Sequence, residues 1–518
     1  MTRRYPFYIT VLFLTSSIVL AGCKKQLLDT NTNPTAITGD KYDPNFLLTT
    51  TQLMYTGSSD FGAENWQTQW CGIAGFIQHV ASTNTGFYSG DKYLNAPGNF
   101  GVYFSHAYIY QVQPVVELYQ LTLNKPQYKN LHQIARLMKA LVFERITDIY
   151  GDIPYSQAGL GYYSNIFTPA FDKQQDIYAD LLKEVSQATD SLDINADQPT
   201  GDVFYASYGA QQIPEWKMFG NTLLLRMAMR LTKVDAATAQ KYVKQVQGLT
   251  MASNNDNAIV QHALGNVTQN RDAWSILQED SADLKLCSTY IDSLQLNADP
   301  RLPIMAQIFA TSDTTSASQL GLPPGYVFGG NNPAIDVTQT PNYPAALGMQ
   351  GYSRFNNQIL SYTAPNLILT YAESEFLLAD AAKRWGIGGD PAIHYKNGVL
   401  AAMDQLSAYG GAVVDPALAE AYYDAHPYND AIALNQINTQ FWLCTVMNEY
   451  EAWSNWRRTG YPVLNPTNYP GNVTGGTIPR RMEYPTSERV TNTDNYNAAV
   501  GRLPGGDLLT SRVWWDVK

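Results

Sequence analysis

The side chains of this sequence best suited to chemistry are aromatic residues in loops that are also rich in Asn, Asp and Gly. The chain contains 35 Tyr, 18 Phe and 10 Trp, a surplus that is typical of recognition surfaces. The slightly positive C–H groups of a sugar ring can lie on the negative face of an aromatic ring, while Asn and Asp side chains bond the hydroxyls. These residues therefore favour noncovalent binding of carbohydrate.

The candidate binding residues fall into three stretches of the chain. Trp66 and Trp70 are one helical turn apart, so they could present two rings to one ligand. A loop at 81–100 and the middle region supply the others, and the alternative that each ring belongs to the core stays open because folded proteins bury most Trp and Tyr. The candidates are Trp66, Trp70, Asn84, Tyr88, Asp91, Tyr93, Trp274, Tyr326 and Tyr352, with Asn95, Phe328 and Tyr343 beside them.

Metal, nucleotide and catalytic chemistry have little support. The six histidines lack zinc-ligand spacing, and the chain has no phosphate-binding glycine loop and no nucleophile elbow. A net charge of −11 argues against a nucleic-acid partner. We therefore predict no cofactor, no metal and no catalytic residue.

Two pairs of carboxylates could suggest glycoside hydrolysis, namely Glu373 with Glu375 and Glu449 with Glu451. Residues two apart on a helix point about 200° from each other, so neither pair can flank one glycosidic bond. Ion pairing is the favoured interpretation. The predicted partners are Arg384, Arg457 and Arg458.

The N-terminal residues carry a processing signal. Two arginines precede an apolar run at about 7–20, which is too short to span a bilayer. Residues 20–23 (LAGC) resemble the box of bacterial lipoproteins, in which the leader is cut before the cysteine and the sulfur is lipidated. We predict a signal peptide at 1–22, a lipid anchor on Cys23 and a flexible tether at 23–43. The alternative is an ordinary cleavable signal with a chance cysteine.

Helices must position the candidate loops. Residues 131–155 repeat apolar side chains at spacings of three and four around most of the girth, which predicts a buried helix that ends at Gly151 and Pro154. Another helix is predicted at 365–385, and it forms a pair with a helix at 391–406. Such pairs resemble tetratricopeptide units, although the repeat consensus is not met.

The expected fold is mainly α, with a tetratricopeptide-like scaffold of helical pairs and a loop-rich binding lobe. We expect a single domain at 44–518. Its scaffold would occupy about 44–252 and 363–460, and the lobe about 253–362. Residues 461–518 would wrap back over the helices.

Several segments resemble the SusD/RagB family of outer-membrane nutrient-binding lipoproteins, and in particular its SusD-like branch. The helix and YGDIP exit at 135–158 (ARLMKALVFERITDIYGDIPYSQA) is similar to the hallmark segment of that family. Further similarity lies at 361–382, 449–462 (EYEAWSNWRRTGYP), 479–488 and 512–516 (RVWWD).

The resemblance implies a non-enzymatic protein that captures glycans or other nutrients and passes them to a SusC-like TonB-dependent transporter. It further implies lipid anchoring to the outer membrane, facing the cell exterior. Gly151, Asp152 and Pro154 match structural positions of the family, whereas its ligand residues lie in variable loops and cannot be transferred. Two alternatives stay open: a peptide-binding RagB-type protein, and a lipoprotein glycosidase whose carboxylates meet on folding.

Overall fold

Helices make up most of the structure, a computed structural model that describes residues 42–57, 64–265, 268–274, 276 and 282–518. Of residues 64, 65 and 274 it describes the backbone alone. The predicted signal peptide, the lipidated Cys23 and nearly all of the predicted tether lie outside the described residues. From Asn45 to Lys518 the chain forms one unit.

The helices of eight or more residues follow one another along the whole unit. They are α1 (Asn45–Tyr55), α2 (Pro97–Ala107), α3 (Gln113–Thr122), α4 (Lys129–Tyr150), α5 (Gln174–Ser191), α6 (Gln212–Arg230), α7 (Ala236–Val246), α8 (Ser288–Leu296), α9 (Tyr371–Trp385), α10 (Pro391–Asp404), α11 (Pro416–Ala425), α12 (Ala433–Cys444), α13 (Glu449–Thr459) and α14 (Thr493–Val500). Two π-helical segments, Glu64–Ile73 and Tyr108–Val112, interrupt the regular pattern. None of the helices in the described ranges combines the length and apolar character needed to cross a membrane.

Short antiparallel strand pairs hold the loops together. The pairs are β1 (Val80–Ser82) with β5 (Leu284–Leu286), β2 (Ile153–Pro154) with β3 (Phe171–Asp172), β4 (Ala258–Val260) with β8 (Asn366–Leu369), and β6 (Ala306–Ile308) with β7 (Ser353–Phe355). In the first pair Val80 faces Leu286 and Ser82 faces Leu284, so the loop that follows β1 is tied to the middle of the chain.

The helix predicted from the apolar period is confirmed as α4. Most of its 22 residues are buried, and α3 and α5 pack along it. It ends at Gly151, whose φ of +86° strains any residue with a Cβ, so the glycine is required at this exit. The chain then enters β2, which contains Pro154, so the helix does not continue past this exit, as predicted.

Helices that follow one another in the chain pack together, which is the helical-pair scaffold that the sequence predicts. In the first of two series α4 packs on α5, α5 on α6, and α6 on α7. In the second series α9 packs on α10, and α10 on α11. Helix α9 also packs on α6 and α12, so the two series share one core. Many polar side chains are buried as well, and some of them are charged.

Two arginines of α6 form the centre of that buried charge. The Arg226 Nε lies 2.5 Å from Glu373 Oε1 of α9, and Arg230 Nη2 lies 2.6 Å from Glu451 Oε2 of α13. Helix α4 contributes Glu144, 3.7 Å from Arg226, and Asp148, 3.0 Å from Arg230. We call these six residues the ion cluster.

The ion cluster contains four carboxylates and two guanidinium groups. Burial raises the pKa of Glu144 to about 8, so this carboxyl carries a proton at neutral pH and reduces the excess of negative charge. Asp148 is bonded by two further donors, the Tyr178 hydroxyl and, at 2.9 Å, the Trp515 indole N–H. The cluster therefore links three long helices, α13 and the C-terminal segment through charge-assisted bonds.

One predicted helix is wrong at its N-terminal end. Residues 366–369, predicted as the start of a helix at 365–385, form strand β8 and pair with β4. The apolar run in this segment (LIL, after Asn366) is too short for periodicity to separate strand from helix. The helix begins only after Thr370, whose hydroxyl accepts a hydrogen bond from the Glu373 N–H and caps α9.

Residues after 461 contact the end of α4. The Met482 N–H donates to the Ile149 carbonyl at 3.1 Å, and the Tyr484 hydroxyl donates to the Asp152 carbonyl at 2.7 Å. Together with the bond from Trp515 to Asp148, these contacts cover the YGDIP exit with C-terminal chain.

Replacing Arg230 with Met should lower the free energy of unfolding by about 3–5 kcal/mol, because it removes the buried cation paired with Asp148 and the nearer of the two arginines paired with Glu451. The matched control is Lys129→Met, which removes an exposed ion pair with Asp193 and should cost at most about 1 kcal/mol. Urea unfolding followed by circular dichroism measures both. Equal losses in the two variants would contradict a structural role for the ion cluster.

Candidate functional site

Two aromatic rings form an accessible platform where the first π-helix meets the loop 84–95. The rings of Trp66 and Phe87 have centroids 5.4 Å apart and planes inclined by 34°. Phe87 is 50% exposed and Trp66 is half-buried. We call this pair the aromatic platform, and ring faces that reach solvent in this way suit a sugar ring.

The π-helix Glu64–Ile73 carries Trp66 and packs against α2 and α13. Such wide helical turns are rare and are common at functional sites. The Trp66 indole N–H donates to the Tyr88 hydroxyl at 3.2 Å, and the Thr68 hydroxyl donates to the Asn99 carbonyl at 3.0 Å. These bonds fix the helix against the loop that bears Phe87.

Asn84 and Asn99 shape the loop around Phe87. The Asn84 Oδ1 accepts from the Gly86 N–H at 2.8 Å, which makes an Asx turn, and its Nδ2 donates to Asp283 at 2.9 Å. The Asn99 Nδ2 donates to the Phe87 carbonyl at 3.0 Å. A loop held by its own hydrogen bonds loses less conformational entropy on binding, so the platform is preorganised.

Five of the predicted binding residues are buried in this structure, each at most 2% exposed: Trp70, Tyr88, Asp91, Tyr93 and Tyr352. Protein atoms cover their rings and carboxylate, so they do not offer a surface to a ligand. The physical reason is that Trp70, Tyr88 and Tyr93 belong to the main hydrophobic core, and Tyr352 to a smaller apolar cluster. In this structure the five residues support the surface that the remaining candidates could form.

The buried candidates hold the platform loop to two other parts of the chain. Asp91 forms an ion pair with Lys92 at 2.8 Å and accepts from the Gly325 N–H of the lobe at 2.8 Å. The Tyr93 carbonyl accepts from the Val473 N–H of the C-terminal segment at 2.9 Å. Loop, lobe and C-terminal segment therefore meet beneath the same surface.

The other candidates lie in varied surroundings. Tyr326 and Tyr343 are half-buried against a small apolar cluster that contains Tyr352, whereas Phe328 is 57% exposed. Asn95 is exposed. The side chain of Trp274 lies outside the described residues, as does Cys23.

Sequence reasoning missed Phe87, the more exposed half of the platform. The available signal was its place between Gly86 and Tyr88 in the loop already singled out. Neighbouring positions in an irregular loop show no period, so nothing in the pattern separates exposed Phe87 from buried Tyr88.

A buried carboxylate lies behind the platform. Asp272 accepts hydrogen bonds from Gln69 at 2.9 Å and from the Trp70 indole at 3.3 Å, both on the π-helix, and from Asn366 at 2.7 Å. Burial raises the pKa of Asp272 to about 6, although the bonds from Asn366 and Trp70 oppose that shift. The carboxylate therefore ties the π-helix to β8 at a cost in desolvation.

The paired glutamates are engaged in ion pairs, as predicted, but with other partners. Glu373 and Glu451 belong to the ion cluster, Glu375 lies 2.9 Å from His394, and Glu449 lies 2.5 Å from His79. The predicted partners bind elsewhere: Arg384 and Arg458 both pair with Asp380, and Arg457 lies over the Trp453 ring. In the part of the chain that the structure describes, no three His, Cys, Asp or Glu side chains are grouped to hold a metal.

A scaffold of helical pairs that carries a loop-rich face is the fold of SusD-like proteins. The chain belongs to this family, because residues 34–485 match the SusD-like_2 model, described as "Starch-binding associating with outer membrane". The match confirms the resemblance drawn from the sequence segments.

Solved structures give the same assignment. A chitin-binding protein is 33% identical, with a TM-score of 0.81 over 92% of this chain and 100% of its own. A protein described as "Bacteroidetes AC2a SusD-like" is 26% identical, with a TM-score of 0.78 over the same shares. A chitin-binding SusD homologue from Flavobacterium johnsoniae is 22% identical, with a TM-score of 0.73 over 90% of this chain and 98% of its own, and supports the fold alone. The search of curated proteins finds no match.

The raised pKa of Asp272 predicts a specific pH dependence of stability. Well below pH 3.8 the carboxyl is protonated in the folded and unfolded states alike, and above about pH 6 its ionisation costs the folded state about 3 kcal/mol. The free energy of unfolding of the protein, minus that of Asp272→Asn, should therefore fall by about that amount from about pH 3 to pH 7. The exposed Asp190→Asn is the control, and a difference that stays constant with pH would contradict the assignment.

Proposed function

We propose that this protein is a glycan-binding lipoprotein of the outer membrane that captures chitin-type oligosaccharides on the aromatic platform. The observation that carries the proposal is the ordered, accessible pair Trp66 and Phe87, in a chain 33% identical to a chitin-binding protein. A β-linked chain of N-acetylglucosamine presents flat C–H faces and methyl groups. Both can lie on aromatic rings.

Polar groups near the platform would complete the site. Asp283 lies one hydrogen bond from Asn84, and its carboxylate is half-buried beside the loop that carries Phe87. A carboxylate at such an edge would accept hydrogen bonds from sugar hydroxyls or acetamide N–H groups. Trp274 and Tyr326 remain proposed contacts.

The proposal includes delivery of the captured oligosaccharide to a SusC-like TonB-dependent transporter. Its support is the family description, which places these proteins at the outer membrane, and the lipoprotein box at Cys23. Acyl chains on Cys23 would hold the binding unit close to a membrane partner, and the tether would let it move. We propose binding rather than hydrolysis because the paired glutamates are all engaged by Arg or His side chains.

Trp66→Ala and Phe87→Ala should each weaken binding of chitohexaose by at least about tenfold, or 1.4 kcal/mol, because each removes a stacking face. The matched control is Phe167→Ala, which removes a phenyl ring that is 79% exposed in the loop between β2 and β3. Isothermal titration calorimetry measures all three variants.

The same titrations separate the alternatives. Unchanged affinity in both platform variants would place the site elsewhere. Preference for maltohexaose would replace chitin by another glycan, preference for peptides would favour the RagB-type alternative, and release of reducing ends would favour a glycosidase.

Cys23→Ala should move the protein from the membrane fraction to the soluble fraction of the native host, because the acyl chains supply the attachment. Quantitative immunoblotting of the fractions measures the change. In mild detergent, the unaltered protein should co-purify with a TonB-dependent transporter. Retention of Cys23→Ala in the membrane fraction would contradict lipid anchoring.

A further inference from the structure

A cleft of about 590 Å³ lies at the C-terminal end of α4 and contains no residue of the aromatic platform. It is bordered by three segments: the YGDIP exit at Gly151 and Asp152, the start of α5 at 173–175, and the C-terminal residues 502–518. Its volume is within the range of pockets that hold a small molecule. The glycan-binding function proposed above does not involve this cleft.

One side of the cleft is apolar. Trp514 is half-buried and Val517 is 39% exposed, so both present surface to the cleft. The backbone around them is fixed, since the Lys233 Nζ donates to the Val517 carbonyl at 3.1 Å and the Trp515 N–H donates to Gln174 at 3.4 Å. The remaining apolar lining residues are Leu503, Pro504 and Val513.

The rim of the cleft is positively charged, although the whole chain has a net charge of −11. Four cationic side chains line it, and the two carboxylates that line it are already matched. Asp152 lies 2.5 Å from Arg502, and Asp516 is shared by Arg512, at 2.6 Å, and Arg480. The cationic lining residues are Lys173, Arg502, Arg512 and Lys518.

The charged residues around Lys233, which lies next to the cleft, are also mainly cationic. The pKa of Lys233, next to the cleft, is lowered by burial and further by the cations Arg480, Arg384 and Arg512, against the opposing effect of Asp516. Burial is the largest cause of this shift, and three of the four charged groups that add to it or oppose it are arginines, so cations outnumber carboxylates around Lys233. An anionic group entering the cleft would be attracted.

We propose that this cleft binds an anionic amphiphile, with its apolar body against Trp514 and Val517 and its acid group, phosphate or carboxylate, at Lys173 and Arg512. Four of the five apolar lining residues are aliphatic, so most of the wall offers no aromatic face on which a sugar ring could stack. The one buried amide there, Gln174, is already bonded to the Thr147 carbonyl and the Trp515 N–H. A small inorganic anion would leave the apolar wall unused, so the two features together select a molecule with both parts.

Calorimetric titration with decyl phosphate, below its micelle-forming concentration, tests the proposal on the whole mature protein. Decyl phosphate should bind with one molecule per protein. Inorganic phosphate, decyl maltoside and decyltrimethylammonium should each bind at least about tenfold more weakly. Comparable binding of inorganic phosphate would reduce the cleft to a simple anion site, and comparable binding of decyl maltoside or decyltrimethylammonium would remove the role of charge. Each of these results overturns the proposal, as does an absence of decyl phosphate binding.

Two substitutions locate the site. Lys173→Glu reverses an exposed rim charge and Val517→Asp places a charge on the apolar wall, and each should weaken decyl phosphate binding by at least about fivefold. The matched control is Lys125→Glu, an exposed lysine before the N-terminus of α4, about 33 Å from the cleft along a 22-residue helix. An equal effect of Lys125→Glu and Lys173→Glu would overturn the proposal.

Chitohexaose binding serves as the folding check. It should be unchanged in Lys173→Glu and Val517→Asp, because neither residue touches the aromatic platform, and thermal melts provide a second check if chitohexaose does not bind. Loss of decyl phosphate binding alone therefore reports on the cleft, and loss of glycan binding in Trp66→Ala alone reports on the platform.

Discussion

The structure depends on two buried guanidinium groups, Arg226 and Arg230, which lie one turn apart on α6. Between them they hold carboxylates from α4, α9 and α13, and these are the helices on which the other elements pack. Buried charges are costly to desolvate, so their geometry tolerates little displacement once paired. Because α13 packs against the π-helix that carries Trp66, the ion cluster sets the frame for the exposed aromatic surface.

The proposed binding surface and the scaffold differ in how they use aromatic residues. Trp70, Tyr93 and Tyr352 are buried, while Trp66 and Phe87 remain accessible. In the proposed function the buried rings would act only indirectly, by supporting the accessible pair. A surface of this kind can change its ligand by replacing a few loop side chains while the helices stay the same.

The sequence predicts the scaffold well and the surface poorly, for physical reasons. Helix α4 is long and strongly periodic, so its existence, its burial and its glycine exit are all readable from spacing. Strand β8 is not readable from spacing, because its three apolar residues fit a strand or a helix equally well. The partners of Arg226 and Arg230 lie 82, 147 and 221 residues away in the chain, and no local pattern encodes such distances. Adjacent Phe87 and Tyr88 face opposite environments, which only the folded loop reveals.

The most direct test of this account is a crystal structure of the protein with chitohexaose. We predict a pyranose ring stacked on Trp66 or Phe87, with its centroid about 4.5–7 Å from the aromatic centroid and with Asp283 or its neighbours bonding the sugar. Electron density for the oligosaccharide at another surface, with both platform rings still open to solvent, would contradict the central claim.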